Sequence, residues 1–321
     1  MIPSPLKAAG VVALLILCGP ALAQEGGLSL SDLDALMEED TATRPVFDRA
    51  VVTDLMAMSV FFVLAMVSFF KKSRMLKYAT MVYAIVYMGV IKANLVSVVH
   101  IFGLLEWNFP IFQYNLPWFL LMGFTVLTTV LWGRIYCGRI CAFGALTQLM
   151  DRILPQSWRY DPPAHIDRKA NMIKYVILFA AIGYFLATGS NQFYRYIEPF
   201  WIFTFSGNTV MWVLAGALLL ASVFIRNFYC RYLCSLGAGL GLLSQFTVFR
   251  IKRHKQCDTC KLCDKECEWG AIQGPKISLS ECVRCDDCEI LYNDKARCVH
   301  HLMIAKLAGK QTPAAPVTPA E

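Results

Sequence analysis

The chain has 321 residues, of which 57% are hydrophobic and only 17% charged. Soluble domains are typically about 45–50% apolar and about 25% charged, so this chain is too apolar for water alone, and disorder, collagen-like structure and a nucleic-acid-binding domain are all disfavoured. The net charge of +7, 30 Lys and Arg against 23 Asp and Glu, reports loop orientation in such a chain more than an anionic partner.

Residues 1–23 read as a signal peptide, with Lys7 as the positive end, an apolar run from Ala8 to Cys18, and Ala21-Leu22-Ala23 as a small-x-small cleavage site. An uncleaved anchor helix is the alternative. Residues 24–50 form a short acidic periplasmic segment, in which Leu30, Leu33, Leu36 and Met37 fall at helical spacing. Five apolar stretches follow at roughly 51–70, 78–99, 116–135, 172–189 and 209–226; each is near the ~20 residues that cross hydrocarbon.

Cations alternate with these stretches. Lys71, Lys72, Arg74 and Lys77 lie between the first two; Arg139, Arg152, Arg159, Arg168 and Lys169 lie between the third and fourth. Arg226, Arg231, Arg250, Lys252, Arg253 and Lys255 follow the fifth, whereas loops 100–115 and 190–208 hold a single Arg195. This is a positive-inside pattern with a cytoplasmic C-terminus, and it puts the chain in the bacterial inner membrane. Lys92 falls inside the second stretch, either as part of a quinol or proton site or snorkelling outward. Gly237 to Val248 is too short to cross and reads as an interfacial helix.

The thirteen cysteines carry the chemistry. Cys257, Cys260, Cys263 and Cys267 form a C-x2-C-x2-C-x3-C run; Cys282, Cys285 and Cys288 form a second, with Cys298 ten residues on. Two-residue gaps let a tight loop aim three thiolates at one 4Fe–4S cube, and the fourth cysteine of such a run serves the other cube. The spacing therefore assigns one cluster to Cys257, Cys260, Cys263 and Cys298, and a second to Cys267, Cys282, Cys285 and Cys288. Zinc knuckles seldom use three successive two-residue gaps, and disulfides do not suit a cytoplasmic segment. The proline that usually follows the fourth cysteine is Glu268 in one half and Val299 in the other, and the second half has a long gap holding Tyr292.

Two further pairs, Cys137/Cys141 and Cys230/Cys234, follow the third and fifth stretches as C-x3-C. If the helix continues, each pair lies on one helix face at a similar depth, so four thiols can converge. Copper(I), another metal centre, a dithiol–disulfide couple and simple packing all remain open.

The segments Trp132 to Leu146 and Phe228 to Ala238 resemble the paired C-x3-C-P elements of the NosR/NirI family, with related elements in NapH-type and CcoG-type iron–sulfur membrane proteins. Cys282 to Cys298, with its long tyrosine-bearing gap, and Glu198-Pro199-Phe200 resemble the same family, so the similarity runs from about 51 to 305. The family's proline after each pair is Ala142 here in one and Ser235 in the other. The resemblance implies the membrane and ferredoxin half of a NosR-like protein, with FMN not expected on this chain and any flavin supplied by a separate flavoprotein subunit.

The expected fold is mainly α: a polytopic helical membrane protein of about five spans after a signal peptide (the transmembrane domain over 51–249), a C-terminal two-cluster ferredoxin-like α+β domain over 250–308, and a disordered tail over 309–321. The expected function is electron transfer through two 4Fe–4S clusters between a cytoplasmic or quinol donor and a periplasmic respiratory partner. By resemblance that partner is nitrous oxide reductase, another denitrification enzyme, or a maturation factor. A copper-centre assembly factor using the C-x3-C thiols and a redox-sensing regulator are the alternatives. No Walker loop, dinucleotide fingerprint or hydrolase triad is present, so the chain reads as an electron-transfer component rather than a stand-alone enzyme.

Overall fold

A computed structural model describes residues 49–93, 95–105, 116–189, 194, 196–251, 262–273 and 276–307. The signal peptide, the helical spacing at 30–37, Cys257, Cys260 and the tail lie outside these residues.

The chain is predominantly helical. Helix α1 spans Arg49–Lys71 and is followed by α2, Arg74–Tyr83, which runs on as a π-helical stretch, Ala84–Ile91. The second apolar stretch thus stops earlier than its composition suggests. Ala93 adopts φ +48°, a left-handed turn, and sends the chain into the short α3, Val99–Leu105. Helix α4, Leu116–Leu131, leads through a π-helical turn, Tyr136–Ile140, into α5, Ala142–Ile153. Helices α6, Ala164–Ala170, and α7, Ile173–Thr188, follow, and then a 3-10 turn, Pro199–Thr204. The α4–turn–α5 pattern then recurs as α8, Thr209–Phe224, a π-helical turn, Tyr229–Leu233, and α9, Ser235–Leu243.

Two helical runs are long and apolar enough to cross a membrane, Val51–Lys71 and His165–Thr188, while Leu116–Leu131 and Thr209–Phe224 are apolar but shorter. The five-span expectation thus rests on two full-length helices and shorter ones. The segment read as an interfacial helix is corrected: Ser235, Leu236, Gly237, Ala238, Leu240 and Gly241 of α9 are buried, and α9 packs along α7. An apolar, glycine-rich helix of nine residues is too short to span but suits a place between longer helices. Lys92 is paired with Asp54 of α1, so its charge is matched by a neighbouring helix.

The ferredoxin half has α10, Leu262–Glu266, an antiparallel two-stranded sheet of β1, Ile272–Gln273, and β2, Lys276–Ile277, then α11, Asp287–Asn293, and α12, Val299–Leu307. This small α+β unit rests on one end of the helical half. Trp269 and Val283, 2% and 1% exposed, join the same apolar cluster as Phe61, Met88 and Phe143.

Candidate metal centre

Each C-x3-C pair sits on a π-helical turn between two helices. The Cys141 N–H donates to the Tyr136 carbonyl at 2.8 Å, and the Cys234 N–H to that of Tyr229 at 2.9 Å. This i to i+5 closure is rare and frequently lies at functional sites. The expectation that each pair shares a continuing helix face is therefore corrected. Cys141 and Cys234 have left the helix (ψ 118° and 103°) and occupy the cap position of the next one, α5 and α9. The Gly237 N–H donates to the Cys234 sulfur at 3.2 Å; the Phe143 and Gly144 amides face Cys141 in the same way, outside hydrogen-bond geometry. Two helix N-termini, each carrying partial positive charge, thus end at a thiol.

All four thiols are buried. Cys137 and Cys234 lie close enough to act electrostatically on Cys141, and Cys234, Cys141 and Cys137 on Cys230. The two turns therefore place four sulfurs within electrostatic reach of one another. Phe143 of one meets Tyr229 of the other edge to face, ring centres 5.0 Å apart.

Arg134, 2% exposed, lies between them. Its Nη2 approaches the Cys137 sulfur at 3.7 Å, and a Cβ on Gly237 would lie 2.8 Å from the same nitrogen. Spacing alone did not single out Arg134, but its place three residues before Cys137 is a signal that could have found it. Four thiols in an apolar site stay protonated and inert unless something stabilises their thiolates. Here the chain supplies two helix dipoles and one guanidinium, which suits an anionic metal–sulfur group. Among the described residues no three His, Cys, Asp or Glu close on a point that a single ion could hold. The donor set, soft and all sulfur, fits a multi-iron cluster, whose thiolates stand further apart than those around one ion.

The second feature is the loop that carries Cys282 and Cys285. It lies directly on the first C-x3-C turn: a Cβ on Gly138 would meet the Val283 carbonyl oxygen at 2.5 Å. Arg139, between the two cysteines of the turn and 1% exposed, donates to the Arg284 carbonyl at 2.7 Å and is paired with Asp286, itself 2% exposed. Arg134 donates to the Ser280 carbonyl at 2.6 Å, Lys77 to the Cys285 carbonyl at 3.0 Å and to Asp287 at 3.1 Å. Lys174 pairs with Glu281 and Lys72 with Glu289. Arg152 reaches Glu268, the residue in place of the usual proline, at 3.0 Å. Several cations that read as loop-orientation signals are thus docking residues for the acids of the ferredoxin half. Arg231, inside the second pair, is paired instead with Asp167 at 2.5 Å.

Of the eight ferredoxin cysteines, six lie in the described residues. Cys285 feels Cys267 and Cys288, and Cys288 feels Cys282, Cys267 and Cys263. Burial pushes Cys282, Cys285 and Cys288 upward, with nearby thiols adding to it. The structure thus gathers Cys267, Cys282, Cys285 and Cys288 in one place and sets Cys263 at its edge, its sulfur 4.0 Å from the Cys288 carbonyl. Cys298 lies just before α12. A cavity of about 520 Å³ beside them is lined by Ile251, Cys263, Arg284, Cys288 and Tyr292.

Comparison with known proteins adds to this geometry. A family model described as a 4Fe-4S binding domain matches twice, over residues 114–160 and 208–255, and one described as NosR matches residues 255–308. The two 4Fe-4S matches each enclose one C-x3-C turn with its flanking helices, so the two loops are repeats of one unit. The "Regulatory protein NosR" of Stutzerimonas stutzeri is 33% identical over 75% of this chain and 36% of its own length. The "Protein NirI" of Paracoccus denitrificans is 32% identical over 56% of this chain and 28% of its own. A "Regulatory protein NosR" sequence of Pseudomonas aeruginosa is 41% identical over 26% of this chain and 85% of its own. The chain spans about a third of the length of the first two. No solved structure matches.

Proposed function

The chain belongs to the NosR/NirI family, and on that premise we propose that it is a membrane-bound electron-transfer protein. The cysteines of the ferredoxin half would hold two 4Fe–4S clusters, and Cys137, Cys141, Cys230 and Cys234 a third iron–sulfur group, which together would supply one-electron transfer. The observation that carries this reading is the seating of the Cys282–Cys285 loop on the Cys137–Cys141 turn, through Gly138, Arg134 and Arg139. Such a contact serves no purpose in a carrier that releases its metal; it does serve two redox sites that must stay at a fixed separation.

Within this reading, Cys257, Cys260, Cys263 and Cys298 hold one ferredoxin cluster and Cys267, Cys282, Cys285 and Cys288 the other. The clusters supply one-electron chemistry at potentials set by charge, hydrogen bonds to sulfur and exposure. The protein's own part is the fixed docking, the exclusion of water, and the positive environment that Arg134 and two helix ends offer the buried thiolates. Helices α1, α2, α4, α7 and α8 cross the bilayer. The sixteen residues of α4 and α8 cover about 24 Å at 1.5 Å per residue. That is less than the ~30 Å core; the buried π-helical turns and short helices α5 and α9 fill the remainder, which lipid tolerates only where protein covers the irregular backbone. The ferredoxin half faces the cytoplasm, and the acceptor is a periplasmic reductase of denitrification or its maturation machinery, with flavin from another subunit and quinol as a donor.

The test is anaerobic purification of the full chain with iron, sulfide and copper analysis and EPR. About twelve iron per chain, falling to about eight in the Cys141→Ser/Cys234→Ser variant, supports three clusters. Stoichiometric copper lost in the same variant would refute it and favour the assembly reading.

A further inference from the structure

On the side of the four thiols away from the ferredoxin half lies a buried carboxyl with no counter-charge among the described residues. Glu198, 7% exposed, accepts hydrogen bonds from the Ser97 hydroxyl, the Tyr194 hydroxyl at 3.0 Å and the Val98 N–H at 3.3 Å. Among the described residues no Lys, Arg or His is bonded to it. Its surroundings form a continuous polar thread through an apolar core. In one direction the Tyr194 hydroxyl is hydrogen-bonded to that of Ser235, the residue following Cys234. In the other, the Ser97 N–H donates to His100 Nδ1 at 3.0 Å, and His100 is partly exposed and lies against Trp118 at the start of α4. Tyr229, 1% exposed and preceding Cys230, lies within electrostatic reach of Glu198, Tyr194 and Cys234, and its hydroxyl has no hydrogen-bond partner among the described residues. The opposite end of α4 meets the ferredoxin half, through Trp132 and Arg284. The thread therefore runs from the far end of the bundle to the thiols.

We propose that Glu198 is the proton-coupling residue of the four-thiol site: it takes up one proton, passed to it by the Ser97 hydroxyl from water at the far face beside His100, for each electron the site accepts, and releases it when the electron leaves. The inference rests on the redox reading given above. The electron comes from an iron–sulfur cluster of the ferredoxin half and the proton from water at the far face, so one electron and one proton enter together and net charge in the buried site is unchanged. A negative charge added where the dielectric is low is costly, and a carboxyl that gains a proton at the same moment removes that cost. The groups facing Glu198 are Ser97 and His100 on the α3 side, Tyr194 on its own loop, and Tyr229 and Cys234 on the second turn. Burial pushes its carboxyl upward, partly offset by the three hydrogen bonds, which favours a proton being held there.

The experiment is a spectroelectrochemical titration of the intact chain in detergent at several pH values, following the signal that disappears in Cys141→Ser/Cys234→Ser. In wild type the midpoint potential falls by about 59 mV for each tenfold drop in proton concentration, the value for one proton per electron. Glu198→Gln abolishes the slope while the ferredoxin clusters keep their absorbance, and Glu198→Asp retains it. A Glu198→Gln protein with the wild-type slope would overturn the proposal. If Glu198→Gln fails to fold, the reduced-minus-oxidised infrared spectrum of wild type decides: a protonated carboxyl band gained on reduction supports it, and absence of such a band refutes it. If wild type has no signal that depends on Cys141 and Cys234, the redox reading itself falls and takes this inference with it, an outcome distinct from a signal with a flat pH profile.

Discussion

Arg139→Ala removes the central tie between the two halves, and its cost can be worked from the structure. Arg139 and Asp286 are 1% and 2% exposed, so their attraction is not weakened by solvent as a surface pair's would be. Deleting one member of such a pair costs about 3–5 kcal/mol, most of it the penalty of a buried charge left alone. Asp286 is poorly placed to bear that loss, because its second carboxylate oxygen already lacks a hydrogen bond. The Arg284 carbonyl loses its 2.7 Å donor as well. At about 1.4 kcal/mol per factor of ten, docking of the 280–290 loop weakens by roughly two to four powers of ten. Hydrogen exchange of the Glu289 and Ile290 amides, both bonded to the Asp286 carbonyl, reads this directly as lost protection. Because apolar replacement of both partners of a buried pair is often neutral, Arg139→Met/Asp286→Leu should recover most of the protection. Unchanged exchange in Arg139→Ala, or a double variant as damaged as the single, would refute the argument that this pair holds the halves together.

Other outcomes follow from the same contacts. Gly138→Ala drives a Cβ into the Val283 carbonyl, which cannot swing away; overpacking of about 1–3 kcal/mol is expected, measured as a lower unfolding midpoint and slower re-reduction of the four-thiol site by the ferredoxin half. Gly144→Ala, 2.6 Å from the Cys137 carbonyl oxygen, shifts Cys137 relative to Cys141 and should lower iron content at that site while leaving the ferredoxin EPR signals intact. Arg134→Gln removes the charge beside Cys137 and should lower the midpoint potential of the four-thiol site, since the reduced, more negative form loses its counter-charge; a potential unchanged or raised would count against the assignment. Gly270→Ala places a Cβ against the Arg231 guanidinium at φ +61°, so it should break the Arg231–Asp167 pair and destabilise the chain as strongly as Asp167→Ala does.

The sequence alone settled the ingredients. Apolar stretches, their approximate limits, and the cysteine runs are local properties: hydrophobicity adds along a segment, and ligand spacing within a tight loop is set by a few residues. For the same reason the sequence identified Cys137/Cys141 and Cys230/Cys234 as pairs and Glu198-Pro199-Phe200 as a family-like segment, yet could not say what any of them faced. Only the tertiary structure decided that each pair breaks its helix in a π-helical turn, leaving Cys141 and Cys234 at the starts of α5 and α9. It also decided that Arg139 meets Asp286, 147 positions along the chain, and that Glu198 and Ser97 share a hydrogen bond across 101. A charge in a short loop reads the same whether it orients a span or anchors a domain. Which it does depends on what packs against it, and a linear pattern holds no record of contacts between residues so far apart.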